Sequence, residues 1–208
     1  MQPDPMSLEP ALLAAQRGEV AGFNILVQAY QRQVYNICYR TLGNAEDAAD
    51  ATQDALLSAF RGLKTFRGPA TGFRAWLLRV AVNACYDQLR RRQRRPSESL
   101  DALSDAPDEH APAERIADSD PGPEQLVLTS EVARQIQHAI DRLAPEQRLA
   151  VVLCDVHGLS YDEAAHVMSV ELGTVKSRLS RARANLRELL LASGELKHAS
   201  ERLEQRNP

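Results

Sequence analysis

Three groups of side chains in this sequence have types and spacings suited to chemistry. Toward the C-terminus, Gly173, Thr174, Ser177, Ser180 and Arg181 fall on one side of a helical wheel, with Lys176 at the flank. Small residues let a backbone approach a double helix, hydroxyls both donate and accept, and Arg or Lys reaches guanine or phosphate. No glutamate lies between Leu172 and Arg187, so this face differs from an ordinary solvated one. A second group, Arg90, Arg91, Arg92, Arg94 and Arg95, has only Asp87 nearby and cannot all pair internally. It suits phosphates, which give affinity without sequence preference; a cationic helix end beside the negative pole of its dipole is the competing structural account. The third group, Asp47, Asp50 and Asp54, bordered by Gln53, lines one strip of a helix. A merely solvated face and a docking surface for a basic partner both fit it. Phe66, Phe73 and Trp76 stand just before the arginines, where they could stack unpaired bases or simply fill a core.

Helices must hold all of these groups. From Ser7 to Arg95 apolar residues recur at three and four, not at two. Leu8, Leu12 and Leu13 open a short helix with Ser7 as a possible N-cap. The stripe Phe23, Leu26, Val27, Tyr30, Val34, Ile37 and Cys38 makes a longer one, stopped by Gly43-Asn44. A third helix buries Ala48, Ala51, Ala55, Leu56, Ala59 and Phe60. The loop 66–72 then breaks the pattern before a long helix from about Phe73 through Trp76, Leu77, Val80, Ala81 and Ala84. Near the other end, 129–143 reads as an amphipathic helix, and Pro145 and Gly158 bracket a second. Ser160 and Glu163 form a capping box opening a third, and after a break at Ser169-Val170 a fourth runs from about Glu171 to Leu190. There Leu172, Val175, Leu179, Ala182, Leu186 and Leu190 gather opposite the polar face, which makes the end of the chain a helix-turn-helix.

The charge distribution separates the two halves. Residues 1–95 carry 13 basic and 8 acidic side chains, residues 96–125 carry 1 and 9, and residues 126–208 carry 11 of each. The middle segment also holds Pro96, Pro107, Pro112, Pro121 and Pro123, with almost nothing to bury. It reads as a flexible acidic linker, roughly 30 Å end to end as a coil and roughly 100 Å stretched. The fold class is therefore all-α, with two small helical domains, 8–95 and 126–191, a linker at 96–125 and a tail at 192–208. The 208 residues hold no membrane-length apolar run and no secretory leader, so a cytoplasmic protein is expected. Cys38, Cys85 and Cys154 imply neither a disulfide framework nor a zinc site and read as small buried hydrophobes. No cofactor, metal spacing, catalytic triad or phosphate-cradling glycine loop is evident, which argues against an enzyme.

Gly-Thr-Val-Lys-Ser-Arg-Leu-Ser-Arg-Ala-Arg at 173–183, Gly-Leu-Ser-Tyr-Asp-Glu-Ala-Ala at 158–165, Ala-Asp-Ala-Thr-Gln-Asp at 49–54 and Phe-Arg-Ala-Trp-Leu at 73–77, with Asn83 and Asp87, resemble the extracytoplasmic-function sigma factors of the sigma-70 family, relatives of RpoE type. The resemblance implies a region 2 helical bundle in front and a four-helix region 4 behind. Asp47, Asp50, Gln53 and Asp54 would grip the clamp helices of core RNA polymerase. Phe66, Arg67, Phe73, Trp76, Arg79 and Asn83 would serve the minus-ten element, with Arg90, Arg91 and Arg92 on phosphate. Thr174, Lys176, Ser177, Ser180 and Arg181 would read the minus-thirty-five element. The linker would thread the polymerase toward its RNA exit path. An anti-sigma factor is a further implied partner, alongside polymerase and promoter DNA, with no membrane insertion. Three positions depart from the pattern: Cys154 replaces an arginine that touches DNA backbone in many relatives, Glu171 opens the recognition helix, and Thr71-Gly72 stand where polar serines are common. A helix-turn-helix regulator whose front half senses a ligand or dimerises is the main alternative, and it would bind a palindrome without polymerase.

Overall fold

The computed structural model describes residues 5–94 and 134–192, and every regular element among them is helical. The expected linker, Arg95, the start of the 129–143 helix and 193–208 of the tail lie outside the described residues. A 3-10 turn, Pro5–Leu8, leads into α1, Glu9–Gln16. The cap position of α1 is Leu8, not Ser7, and carries no side-chain cap bond. Pro10 in the first turn supplies the start, because it has no N–H there to leave without a partner.

Helix α2, Val20–Leu42, leaves Phe23 and Val27 of the stripe read from the sequence half-buried and buries Leu26, Tyr30, Val34, Ile37 and Cys38. Each such side chain contributes about 1.5–3 kcal/mol of transfer free energy. The helix stops at Gly43, whose φ of 71° is open to glycine at little cost, and the Gly43 N–H closes on the Tyr39 carbonyl at 2.8 Å. Asn44 then caps α3, Ala45–Gly62, its Oδ1 accepting from the Asp47 N–H at 2.9 Å. Ala48, Ala51, Ala55 and Ala59 are buried, so the α2 and α3 backbones approach closely, while Leu56 and Phe60 are only half-buried. After a 3-10 turn, Leu63–Thr65, helix α4 runs from Ala70 to Arg94. It starts ahead of Phe73 because the Pro69 carbonyl accepts the Gly72 N–H at 2.9 Å and opens a turn inside the expected loop.

In the second half, α5 occupies 134–141 of the described chain. Helix α6, Pro145–Val151, widens into a π turn, Val152–Val156, in which the His157 N–H reaches back to the Val152 carbonyl at 3.0 Å. Gly158 ends it at φ 66°. Both bonds of the expected capping box are made at the start of α7, Tyr161–Met168: the Glu163 N–H donates to Ser160 Oγ, and the Ser160 N–H donates to Glu163 Oε2 at 2.8 Å. Ser169, in the left-handed region, turns the chain into α8, Leu172–Ala192. The halves touch: α4 packs on α7, and α2 packs on α6 and the π turn, so buried side chains of both form one contiguous cluster.

Gly22 sets how α1 crosses α2. A Cβ there would lie 2.6 Å from the Ala11 carbonyl oxygen and 2.8 Å from Ala14 Cβ. Gly22→Ala should therefore push α1 outward and cost about 1–3 kcal/mol, read as a lower denaturant midpoint at unchanged slope.

Candidate nucleic-acid interface

The polar side of α8 is presented as the wheel requires. Val175, Leu179 and Ala182 are at most 1 % exposed, beneath a face on which Gly173, Lys176, Ser177, Ser180 and Arg181 are open to solvent and Thr174 is half-buried. Nothing among the described residues stands within 4 Å of a Cβ built on Gly173, so that position is open. Ser177 Oγ donates back to the Thr174 carbonyl at 2.9 Å, which leaves the hydroxyl as an acceptor facing out. Arg183, on the same helix, is committed elsewhere. It forks onto Asp155 at 2.6 and 3.1 Å and reaches the Tyr161 hydroxyl at 3.5 Å, clamping α8 to the elements before it. Nothing in the local sequence signals that pair, since its members are 28 positions apart.

The acidic strip on α3 is also presented. Asp50, Gln53 and Asp54 are exposed, and Asp47 is half-buried, accepting from Gln88 Nε2 at 3.1 Å. The strip borders an open apolar groove of about 450 Å³ lined by Phe23, Val27, Tyr35, Thr52, Gln53 and Leu57. The sequence reading missed this groove, because half-buried apolar residues on two helices look like core until both are placed. Of the arginines closing α4, Arg90 pairs with Asp87 at 3.2 Å and Arg91 with Asp54 at 3.4 Å, while Arg92 and Arg94 make no ion pair among the described residues. All four partners in those pairs are more than half exposed, so neither pair is worth much against a competing phosphate or basic helix.

The aromatic group divides. Phe73 is 2 % exposed and Phe66 9 %, and with Trp76 they form one cluster whose ring centroids lie 5.2 to 6.0 Å apart. Phe66 and Phe73 are therefore packed into the core cluster. They hold the loop together with Gln16, whose Nε2 donates to the Phe66 carbonyl at 3.0 Å. Half-buried Trp76 and exposed Arg67, Arg79 and Asn83 remain at the surface, and Trp76, Arg79 and Asn83 share one side of α4.

Among the other groups, Cys38 and Cys85 are buried and Cys154 is half-buried. Burial, reinforced by Asp155, pushes the Cys154 thiol up to about 11, so it is a poor nucleophile. No cluster able to hold a metal ion occurs among the described residues, and none of their helices is long and apolar enough to cross a membrane. His157 is drawn down to about 4, first by burial and then by the Arg40 and Arg74 guanidinium groups.

Two family models match the chain: Sigma-70 region 2 over residues 26–95, and Sigma-70, region 4 over residues 133–186. The chain is 40 % identical over 176 residues to the ECF RNA polymerase sigma factor SigE of Mycolicibacterium smegmatis, a match that covers 85 % of this chain and 62 % of that protein. It is 41 % identical over 180 residues to the ECF RNA polymerase sigma factor SigM of Mycobacterium tuberculosis, covering 86 % and 83 %. Among solved structures, the sigma factor RpoE in complex with the anti-sigma factor NepR from Bartonella quintana matches with a TM-score of 0.62 and 27 % identity, over 81 % of this chain and 96 % of that one.

His157 gives the pH dependence a sign. Its folded-state value lies below its ordinary 6.5, so the folded chain binds fewer protons than the unfolded chain between pH 6.5 and about 4. Its contribution is full above pH 6.5 and is lost as pH falls through that window, with a slope of at most about 1.4 kcal/mol per pH unit. His157→Gln should flatten that part of the profile relative to the parent, measured by urea unfolding at stepped pH.

Proposed function

The chain belongs to the extracytoplasmic-function sigma factors of the sigma-70 family, regulatory DNA-binding proteins of transcription initiation, and from that membership we propose how its surfaces divide the work. Asp47, Asp50, Gln53 and Asp54 dock on core RNA polymerase, the carboxylates meeting basic side chains of a clamp helix while the adjoining groove takes its apolar residues. Arg67, Trp76, Arg79 and Asn83 handle the minus-ten element, and Arg90, Arg91 and Arg92 hold the phosphates beside it. Thr174, Lys176, Ser177, Ser180 and Arg181 read the minus-thirty-five element from the major groove. The chain catalyses nothing itself, and it works inside the cell, where polymerase is. An anti-sigma factor fits as a regulatory partner, supported by the likeness to a sigma factor solved with one.

The observation that carries this reading is the bare side of α8: four side chains able to meet DNA stand exposed opposite the buried Val175, Leu179 and Ala182. It also explains the need for polymerase. Disrupting about four stacked steps costs roughly 6 kcal/mol at roughly 1.4 per step, and one captured base returns only about 1–3. Polymerase contacts must supply the rest, so the isolated chain should bind promoter DNA weakly and melt none of it.

Reversing Asp50 and Asp54 to Lys should abolish co-elution with core polymerase while leaving the helical circular dichroism intact; retained co-elution would remove the docking assignment. Arg181→Ala should lower run-off transcription from promoters with an intact upstream element roughly five- to 150-fold, the equivalent of about 1–3 kcal/mol of lost discrimination. Promoters lacking that element should be spared, and an equal loss on both would argue against base reading.

A further inference from the structure

Cys38 of α2 and Cys85 of α4 are free, at most 1 % exposed, and hydrogen-bonded to one another in the core of the front half. Thr52 of α3 completes the group. Its hydroxyl donates to the Ala48 carbonyl at 2.7 Å, and it also stands within hydrogen-bonding contact of Cys38. That hydroxyl is a rotor with a single proton, back-bonded beside a thiol and free to turn onto a thiolate. The contacts make the two sulfurs unequal. Bonds from Cys85 and Thr52 hold the Cys38 thiol below its usual range against the opposing effect of burial, whereas Cys85, sharing its proton with Cys38 and buried as deeply, is pushed up.

A cysteine in purely apolar surroundings is inert. This pair differs in having support for a charge and a way in. Thr52 is half-buried and is one of the side chains lining the open groove of about 450 Å³ between α2 and α3. A single side chain thus stands between the groove and the Cys38 sulfur. Phe23, Val27, Leu56 and Leu57 give the groove apolar walls, suited to the hydrocarbon end of a small peroxide.

We propose that Cys38 and Cys85 are a redox-active dithiol that takes small organic hydroperoxides from the α2/α3 groove and closes to a disulfide, altering the acidic strip above it. The Cys38 thiolate attacks the peroxide, a sulfur–oxygen bond forms and the O–O bond breaks. The departing alkoxide takes up a proton, leaving an alcohol and a sulfenic acid on Cys38. The Cys85 sulfur then attacks the Cys38 sulfur; the S–S bond forms, the S–O bond breaks, and hydroxide leaves with the Cys85 proton as water. Two thiols lose two electrons, and the hydroperoxide gains them.

Closure reaches the surface through α4. One turn beyond Cys85, Gln88 donates to Asp47 Oδ1 at 3.1 Å, and a turn further Arg91 pairs with Asp54 at 3.4 Å. Drawing α4 toward α2 therefore shifts the partners of two strip carboxylates, and Thr52 loses its thiol neighbour on the wall of the same groove. On the docking reading given above, on which this consequence alone rests, the oxidised chain holds core polymerase less well.

The test exposes the full-length chain to tert-butyl hydroperoxide, unfolds it in N-ethylmaleimide and maps the peptides by mass spectrometry. Cys38 and Cys85 should appear joined, reversibly with dithiothreitol, while Cys154, the most exposed of the three thiols, is still labelled. Oxidation of Cys154 first, or of Cys38 to sulfinic acid with Cys85 still labelled, would overturn the dithiol. Its rate should not change in urea below the unfolding transition; a rate that climbs with urea would overturn entry through the groove. Cys85→Ala should stop at a sulfenic acid that dimedone traps on Cys38, and Cys38→Ala should give no adduct on Cys85; the reverse would overturn Cys38 as the attacking sulfur. Thr52→Val should slow closure roughly fivefold, and an unchanged rate would strip Thr52 of its part. Co-elution of the oxidised chain with core polymerase should fall roughly fivefold and return with dithiothreitol, whereas equal co-elution would overturn the effect on the strip. A reduced chain that fails to co-elute would instead overturn the docking reading, with the dithiol judged by its peptides.

Discussion

A helix can read DNA only if one side of it is anchored so firmly that the other can be left bare. Burial of Val175, Leu179 and Ala182 is that anchor, and the remaining features of the second half serve it. Helix α6 and its π turn supply the apolar bed, the Ser160–Glu163 box starts α7 at a fixed residue, and Ser169 accepts a left-handed backbone so that α8 departs at the required angle. Arg183 adds a directional tie where the apolar row alone would allow α8 to roll, since its forked bond to Asp155 specifies rotation as well as distance. Lys176, Ser177, Ser180 and Arg181 are presented together because rotation about the helix axis has been fixed by other residues.

Sequence reasoning succeeded where a signal is local and periodic. Gly43-Asn44 as a stop, the alanine row of α3 and the capping box of α7 are each defined within four or five positions, the range over which backbone geometry itself operates. It failed where two legal local choices were separated by a tertiary contact. Ser7 and Leu8 both precede a run of helix formers, and a proline in the first turn removed the need for a side-chain cap. For Phe66 and Phe73 the sequence left stacking and core readings open, and Tyr30, 1 % exposed and with its ring centroid 5.8 Å from Phe73, is what encloses them. Arg148 offered no hint at all. One arginine in the first turns of a short helix is ordinary until the end of α2, 107 positions earlier, supplies its acceptor.

The front half faces the opposite problem, presenting two charged surfaces of unlike sign on neighbouring helices. Asp54 and Arg91 meet across them, so part of the acidic strip is paired with part of the arginine cluster. Because both groups are largely solvated, that pair stores little free energy and is screened further by salt. Under the proposed division of surfaces, a basic helix arriving at Asp54 would free Arg91 and a phosphate arriving at Arg91 would free Asp54, a coupling no larger than the small energy of the pair itself.

Two weak readers on one chain gain from their linkage only when both can be engaged together. Linkage suits readers that are individually permissive, since hydroxyls and a few cations bind many sequences: engaging either one raises the effective concentration of the other, and selectivity comes from requiring both.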